Sequence, residues 1–251
     1  MPMLNGRVLL FDYDDTLAKT EGIALGAACV LLNRILSERN AAGYELPAFV
    51  EQFTGTTFRR ILTAASEDRK IVMAAEELDH WVEVEKQGAI AALAQQLEAT
   101  DGVNQFLARL TELGNLMAIA SSSAPDRLEV CLDKTGQKSF FGDRVFSVQC
   151  PTFNGRGKPA PDVYLHAMDT LGVQPEICEV FEDSVGGVKS AVAAGCRTWG
   201  YVGALPQEKR MARAEALVET GACCVFDNWA QFDSLFEQVE RGGQKDVNCC
   251  G

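Results

Sequence analysis

Short apolar runs of strand length recur along the chain at Val8–Phe11, Leu116–Ala120, Val145–Val148, Glu179–Phe181 and Arg197–Val202. Most intervals between them carry a helical period. In residues 161–171, Tyr164, Ala167, Met168 and Leu171 fall at i, i+3, i+4 and i+7; Pro161 suits a first helical position and Gly172 a C-terminal cap. Continuous apolar strands alternating with helices predict an α/β fold, a doubly wound and mainly parallel sheet covered on both faces. The stretch "GACCVFDNWAQFDSLFEQV" predicts a last strand and helix completing the core.

One region breaks the rhythm. From Lys19 to Gln96 the pattern is helical throughout, with "IALGAACVLLNRIL" as one helix and "EELDHWVEVEKQGAIAALAQQLEA" as one or two more. The simplest division is an α/β core, residues 1–18 and 97–251, with an α-helical domain of residues 19–96 inserted after the first strand.

Ligands of open α/β sheets bind beyond the carboxyl ends of the strands. The first strand runs into Asp12, Asp14, Asp15 and Thr16; the second into Ser121, Ser122 and Ser123; the fourth into Glu182, Asp183 and Ser184. "RGKPAPD", between the third and fourth, offers Lys158 ahead of two prolines. Taken singly these are ordinary features. An Asp-rich turn is common, Ser123 is expected to cap a helix starting near Pro125, and Glu182–Asp183 suits the positive end of the next helix. Together they bring carboxylates, hydroxyls and an ammonium to one edge of one sheet.

Composition narrows the ligand. The formal charge is −12, from 35 acidic and 23 basic side chains. That balance disfavours duplex nucleic acid and an anionic membrane surface, both of which require Lys/Arg excess. Two like charges ~4 Å apart repel by ~4 kcal/mol at an effective dielectric near 20, so crowded acids accept a phosphate dianion only with a cation among them. Mg²⁺, hard and oxygen-seeking, suits one or two carboxylates plus a phosphate. The nine Cys include no CxxC, and there are only two His. This predicts reduced thiols, mostly small core residues, and a cytoplasmic protein. The C-terminal "GGQKDVNCCG" is expected to fray.

Four motifs resemble the haloacid dehalogenase-like (HAD) hydrolases: "LLFDYDDTL", "MAIASSS", "GKPAPDVY" and "VFEDSVGGVKSAVAAG", within a match running from about residue 7 to 203. The insert is similar to the helical cap of the subgroup containing phosphoglycolate phosphatases, sugar phosphatases and β-phosphoglucomutase. The resemblance implies a Mg²⁺-dependent phosphatase working through an aspartyl phosphate on a small phosphorylated metabolite: a sugar or polyol phosphate, or phosphoglycolate. It makes Asp12 the nucleophile and a metal ligand. Asp14 becomes the general acid/base and a metal ligand through its carbonyl, and Asp183 a third ligand. Glu182 ligates through water or supports the others. Ser121 and Lys158 hold the phosphoryl oxygens, and Thr16 orients the Asp12 loop beside substrate.

Two rival readings are a phosphomutase and a non-catalytic binding protein on the same fold. The mutase carries a His in the first cap helix, where this chain has Ala24; its only His in the insert is His80. Asp14 disfavours the halide- and phosphonate-cleaving members, which lack an acid there. Asp15 departs from the family's usual Gly, adding charge at the mouth of the site. Specificity is expected from the insert, closing over the site. "FTGTTFRRIL" is its contact loop, with Gly55 as breaker and Thr56, Arg59 and Arg60, beside Ser122 from the core, as candidate substrate contacts.

Overall fold

The computed structural model describes residue 4 and residues 6–241; the terminal "GGQKDVNCCG", with Cys249 and Cys250, lies outside the described residues. In chain order the elements are β1 (Val8–Phe11), α1 (Glu21–Ser37), α2 (Leu46–Phe53), α3 (Phe58–Asp68), α4 (Ala75–Gln96), α5 (Val103–Glu112), β2 (Leu116–Ser121), α6 (Pro125–Thr135), α7 (Lys138–Phe141), β3 (Val145–Ser147), α8 (Asp162–Leu171), β4 (Cys178–Glu182), α9 (Val185–Ala193), β5 (Arg197–Tyr201), α10 (Gln207–Thr220), β6 (Cys224–Phe226) and α11 (Phe232–Glu240). The chain divides into two units: the described residues through Lys19 and from Glu98 onward, and Thr20–Leu97.

The first unit is built on one six-stranded sheet of order β3-β2-β1-β4-β5-β6, every pair parallel. The α/β expectation holds because the central strands β1, β2 and β4 are buried along nearly their whole length. Val8, Leu10, Ala118, Ala120 and Val180 pack on one side with Val163, Tyr164 and Met168 of α8 and Ala191 of α9. On the other, Phe11 stacks on Phe181 at 4.8 Å among Phe106, Phe226, Trp229 and Phe232. The last stretch thus completes the core as its pattern indicated. Phe232 is fully buried and meets the rings of Phe106, Phe181, Trp199 and Phe226 at 4.9–5.4 Å. Phe232→Ala is expected to cost about 3–5 kcal/mol, read as a lowered urea midpoint, because so many ring contacts cannot collapse into the hole.

Strand limits differ slightly from the apolar runs. β4 reaches one residue further at each end, so Glu182 is its last ladder residue, paired with Gly200. The apolar face of α8 is as its spacing indicated, and Gly172 closes it at φ +67°, a left-handed cap that suits glycine.

The second unit is all helical. α1 and α4 pack along one another, with α2 and α3 completing a core around Leu32, Phe49 and Leu62. Residues 75–96 form one helix, although Gly88 sits inside it; the ~1 kcal/mol a mid-helix glycine costs is offset by packing on α1. Among the described residues the seven cysteines form no disulfide, and five of them are buried. No described helix is long and apolar enough to cross a membrane.

Candidate active site

The parallel register sets the geometry. Phe11 of β1 lies level with Ile119 of β2 and Phe181 of β4, so the residues that follow emerge along one edge. Asp12 continues the ladder by donating its N–H to the Phe181 carbonyl at 2.9 Å. The alternation of an extended chain persists for three residues: Tyr13 points inward and is fully buried, which leaves Asp12 and Asp14 off the core face. Leu17 and Ala18 then donate to the Tyr13 carbonyl and Asp15 to that of Ala18, closing a tight loop.

Lys158, on the loop between β3 and α8, reaches across this edge. Its Nζ lies 2.6 Å from Asp12 Oδ1 and 2.6 Å from Glu182 Oε1, all three groups nearly or wholly buried. Tyr164 donates its hydroxyl to the same Glu182 oxygen at 2.7 Å, while Ser184 Oγ stands 3.2 Å from Oε2. Ser184 also caps α9, accepting from the Gly187 N–H. Arg213 of α10 donates to the backbone carbonyl of Asp183 at 3.0 Å.

Asp14 is held separately. Arg127, in the first turn of α6, donates to Oδ1 at 2.6 Å, and Ser123 donates to Oδ2 at 2.6 Å. This corrects the expectation that Ser123 caps the helix. The residue at the start of α6 is Ala124, without a side-chain cap, and the Ser123 hydroxyl turns to the carboxylate instead. A charge-assisted bond to an ionised acid is worth about twice a neutral one, which is why it prevails.

Among the remaining candidates, Ser121 is buried, its Oγ accepting from the Ser123 N–H at 3.0 Å, and Ser122 is exposed. Thr16, expected beside substrate, is fully buried and its carbonyl accepts from Thr100. Like Ser121 it has no accessible surface, and its Oγ1 is buried without a hydrogen-bond partner. Thr56, Arg59 and Arg60 belong to the helical unit. Gly55 does break the helix, at φ +75° between α2 and α3, but both arginines lie inside α3. Arg59 is paired with Asp79, so it is no idle anion contact; Arg60 is exposed. His80, on α4, is exposed and lies 5.0 Å from the Trp81 ring.

The electrostatics follow from burial. Loss of water pushes the Asp12 carboxyl up to about 8, Glu182 and Asp14 adding to the rise and Lys158 opposing it. Asp183 is raised well above the carboxylate range by desolvation, then by Asp12, Glu182 and Asp15, with Arg213 opposing. Burial pulls the Lys158 ammonium down, but its two carboxylate partners override that and hold it above its ordinary value. Five carboxylates, at residues 12, 14, 15, 182 and 183, gather around three cations, at 127, 158 and 213. Fully ionised, the site keeps two formal negative charges (5 − 3). Asp12, Glu182 and Asp183 each place an oxygen within 4.8 Å of the others. Hard oxygen donors, crowded and short of positive charge, fit a divalent cation such as Mg²⁺.

Asp15 sits at φ +54°, the left-handed region that a glycine would take without strain. Asp15→Gly is expected to raise the stability of the metal-free protein by about 0.5–1 kcal/mol, the ~1–2 kcal/mol of backbone relief exceeding the ~0.5–1 kcal/mol of chain entropy that a glycine loses on folding. Removing a charge that repels Asp183 acts in the same direction. An unchanged or lowered melting temperature counts against both effects.

Sequence reasoning missed Arg127, Tyr164 and Arg213 as site residues, and gave Ser123 a helix cap in place of the Asp14 carboxylate. Tyr164 read as part of an apolar stripe, and its ring does lie in the core, but its hydroxyl emerges at Glu182. Arg127 carried one usable signal: it lies in the first turn of a helix that begins at a strand's carboxyl end.

The comparisons agree with this geometry. The model of the haloacid dehalogenase-like hydrolases matches residues 7–195. Protein CbbY of Rhodobacter capsulatus is 29% identical over 200 residues, 76% of this chain and 83% of that protein. The phosphorylated carbohydrates phosphatase of Thermotoga maritima is 29% identical over 218 residues, covering 85% and 91%. Among solved structures, a HAD family hydrolase from Deinococcus radiodurans with bound phosphate and sodium superposes with a TM-score of 0.73 at 29% identity, over 93% of this chain and 96% of that one. With Asp12, Asp14, Ser121, Lys158 and the 182–183 acidic pair delivered to one sheet edge, and with three quarters of its length matched, the chain belongs to the haloacid dehalogenase-like hydrolases.

Proposed function

We propose that this enzyme is a Mg²⁺-dependent phosphatase that hydrolyses a small phosphorylated carbohydrate or related metabolite through a phosphorylated Asp12. The observation that carries it is Lys158 bridging Asp12 and Glu182 at 2.6 Å each, with Asp183 alongside. Together they form a nucleophile, a fixed cation and a carboxylate set suited to a divalent ion. The phosphate bound by the Deinococcus protein, and the substrate class in the name of the Thermotoga relative, support the reading.

In this reading an Asp12 oxygen attacks phosphorus as the bond to the leaving oxygen breaks, and Asp14 gives that oxygen a proton. Asp14 then takes a proton from water, whose oxygen attacks phosphorus and returns Asp12 to a carboxylate with release of phosphate. Lys158 neutralises charge beside Asp12, and Ser121 has its O–H available to a phosphoryl oxygen. Asp12, Asp183 and the Asp14 carbonyl, with Glu182 in support, would hold Mg²⁺. When bound, the ion supplies charge neutralisation that lets a phosphate dianion approach these acids.

The test is release of inorganic phosphate from p-nitrophenyl phosphate and from a panel of sugar, polyol and two-carbon acid phosphates, with Mg²⁺ and with chelator. Mg²⁺-dependent release supports the reading; none from any ester would leave a binding protein. Accumulation of a hexose 6-phosphate from a hexose 1-phosphate, in place of free phosphate, would move the assignment to a mutase. Ala24, where the mutase carries His, speaks against that outcome.

A further inference from the structure

Asp14 stands apart from the Lys158 pairing that holds Asp12 and Glu182. Its two oxygens are instead taken by different elements, Oδ1 by Arg127 of α6 and Oδ2 by Ser123 beyond β2. Both donors are themselves fixed. Ser123 donates its N–H to Ser121 Oγ at 3.0 Å, and its carbonyl accepts from Ser147 Oγ at 2.6 Å, locking it to the ends of β2 and β3. Arg127 rides on a helix that buries Leu128, Cys131 and Leu132. We propose that Arg127 is a positioning residue for proton transfer: with Ser123 it sets the orientation of the Asp14 carboxyl toward the leaving oxygen. This rests on the phosphatase reading above.

The physical need is specific. An aspartate side chain has two free torsions, and a half-buried one on a loop samples several orientations, whereas proton transfer requires hydrogen-bond reach of one atom. Donors on separate oxygens, anchored in separate elements, leave a single orientation. A carboxyl offers about four lone-pair sites, so two donors still leave room for the transferred proton. Arg127 transfers nothing itself. Because Asp12 has its own partner in Lys158, loss of Arg127 disturbs the proton donor and leaves the nucleophile's contacts in place.

The leaving group separates these roles. p-Nitrophenolate departs with little help from an acid, while phenolate needs its proton. Arg127→Ala is expected to lower kcat/KM on phenyl phosphate, which reports the step that expels the leaving group, about 10–100-fold. The loss of kcat/KM on p-nitrophenyl phosphate should be about threefold, because that leaving group needs little proton transfer. Across substituted phenyl phosphates, the dependence of log kcat/KM on leaving-group basicity should steepen. Arg127→Lys should recover part of the loss. If Arg127→Ala does not fold, Arg127→Gln, which keeps the packed stem, is read in the same way. Equal losses on both esters, no loss, or a gain overturn the proposal. So does a wild-type enzyme that turns over only the nitrophenyl ester, because no proton transfer is then being aimed. If wild type releases phosphate from neither these esters nor the metabolite panel, the phosphatase reading itself fails, a result distinguishable from all the others.

Discussion

Asp12→Asn is expected to abolish phosphate release, lowering kcat by about 10⁴-fold or more, because an amide oxygen cannot serve as the attacking group and no other described carboxylate stands in its place. The variant should nevertheless fold, and its stability carries a second, pH-dependent signature. Burial raises the Asp12 carboxyl to about 8, from an ordinary value of 3.8. A folded-state value above the unfolded one means that the native protein binds a proton which the unfolded chain has already released. The stability contributed by the protonated form is therefore complete below about pH 4 and is lost as pH rises through about 8. The amide that replaces the carboxyl has no such proton to lose. In the absence of metal, the difference in stability should move in favour of the variant between pH 5 and pH 8, as read from urea midpoints. Millimolar Mg²⁺ should narrow it at pH 8 by stabilising wild type. A variant with near-normal turnover would end the case for Asp12 as nucleophile; a stability difference flat across this range would contradict its burial as an acid short of counter-charge.

Gly187→Ala should be nearly as damaging, for a different reason. A Cβ built on Gly187 falls 1.9–2.0 Å from the carboxyl atoms of Glu182. Neither side can yield cheaply. Gly187 belongs to the first turn of α9 and is tied to Ser184 by its N–H. Glu182 is at the end of a central strand and is bonded to Lys158 and Tyr164. Accommodating one methyl group means expelling the Glu182 side chain, which leaves Lys158 with only Asp12 and leaves the Tyr164 hydroxyl buried without its acceptor. Breaking one side of a buried ion pair costs about 3–5 kcal/mol, so the variant should lose most of its thermal stability. Any folded fraction should have kcat reduced about 100-fold, since displacement of a supporting carboxylate by ~1 Å or more misplaces Asp12 and the metal oxygens together. A Gly187→Ala protein with wild-type melting temperature and turnover would mean that Glu182 is free to leave its pocket, contrary to its complete burial. The structure thus assigns this glycine a role in close packing, distinct from a turn: the helix start must come within contact of a carboxyl group.

The two substitutions also differ in what they test. Asp12→Asn removes chemistry and keeps shape, whereas Gly187→Ala keeps every functional group and removes the space one of them occupies. Activity lost with stability retained, then both lost, is the ordered result expected of a nucleophile and of its scaffold. Arg127 is intermediate, since its loss should leave the fold and touch only the proton transfers of Asp14.

The amino-acid sequence by itself determined the sheet and most of what stands on its edge. Strand and helix periods are local, and a parallel α/β order follows from their alternation, so β1 through β6 and the chemistry after β1, β2 and β4 were legible in short windows. Asp12 and Asp14 sharing a side is likewise a two-residue property of extended chain. What the tertiary structure alone decided are the pairings over long separations. Lys158 meets Asp12 across 146 residues, and Arg127 meets Asp14 across 113. Ser123 shows the limit most clearly. Beside a helix start it reads as a cap, and only the loop from β1, 109 residues earlier in the chain, offers the carboxylate that claims its hydroxyl instead. Local patterns depend on neighbours a few residues away, which the sequence contains. Which acid a lysine, arginine or serine meets depends on where separate elements are brought by burial of their apolar faces, and that is settled only when the core has formed.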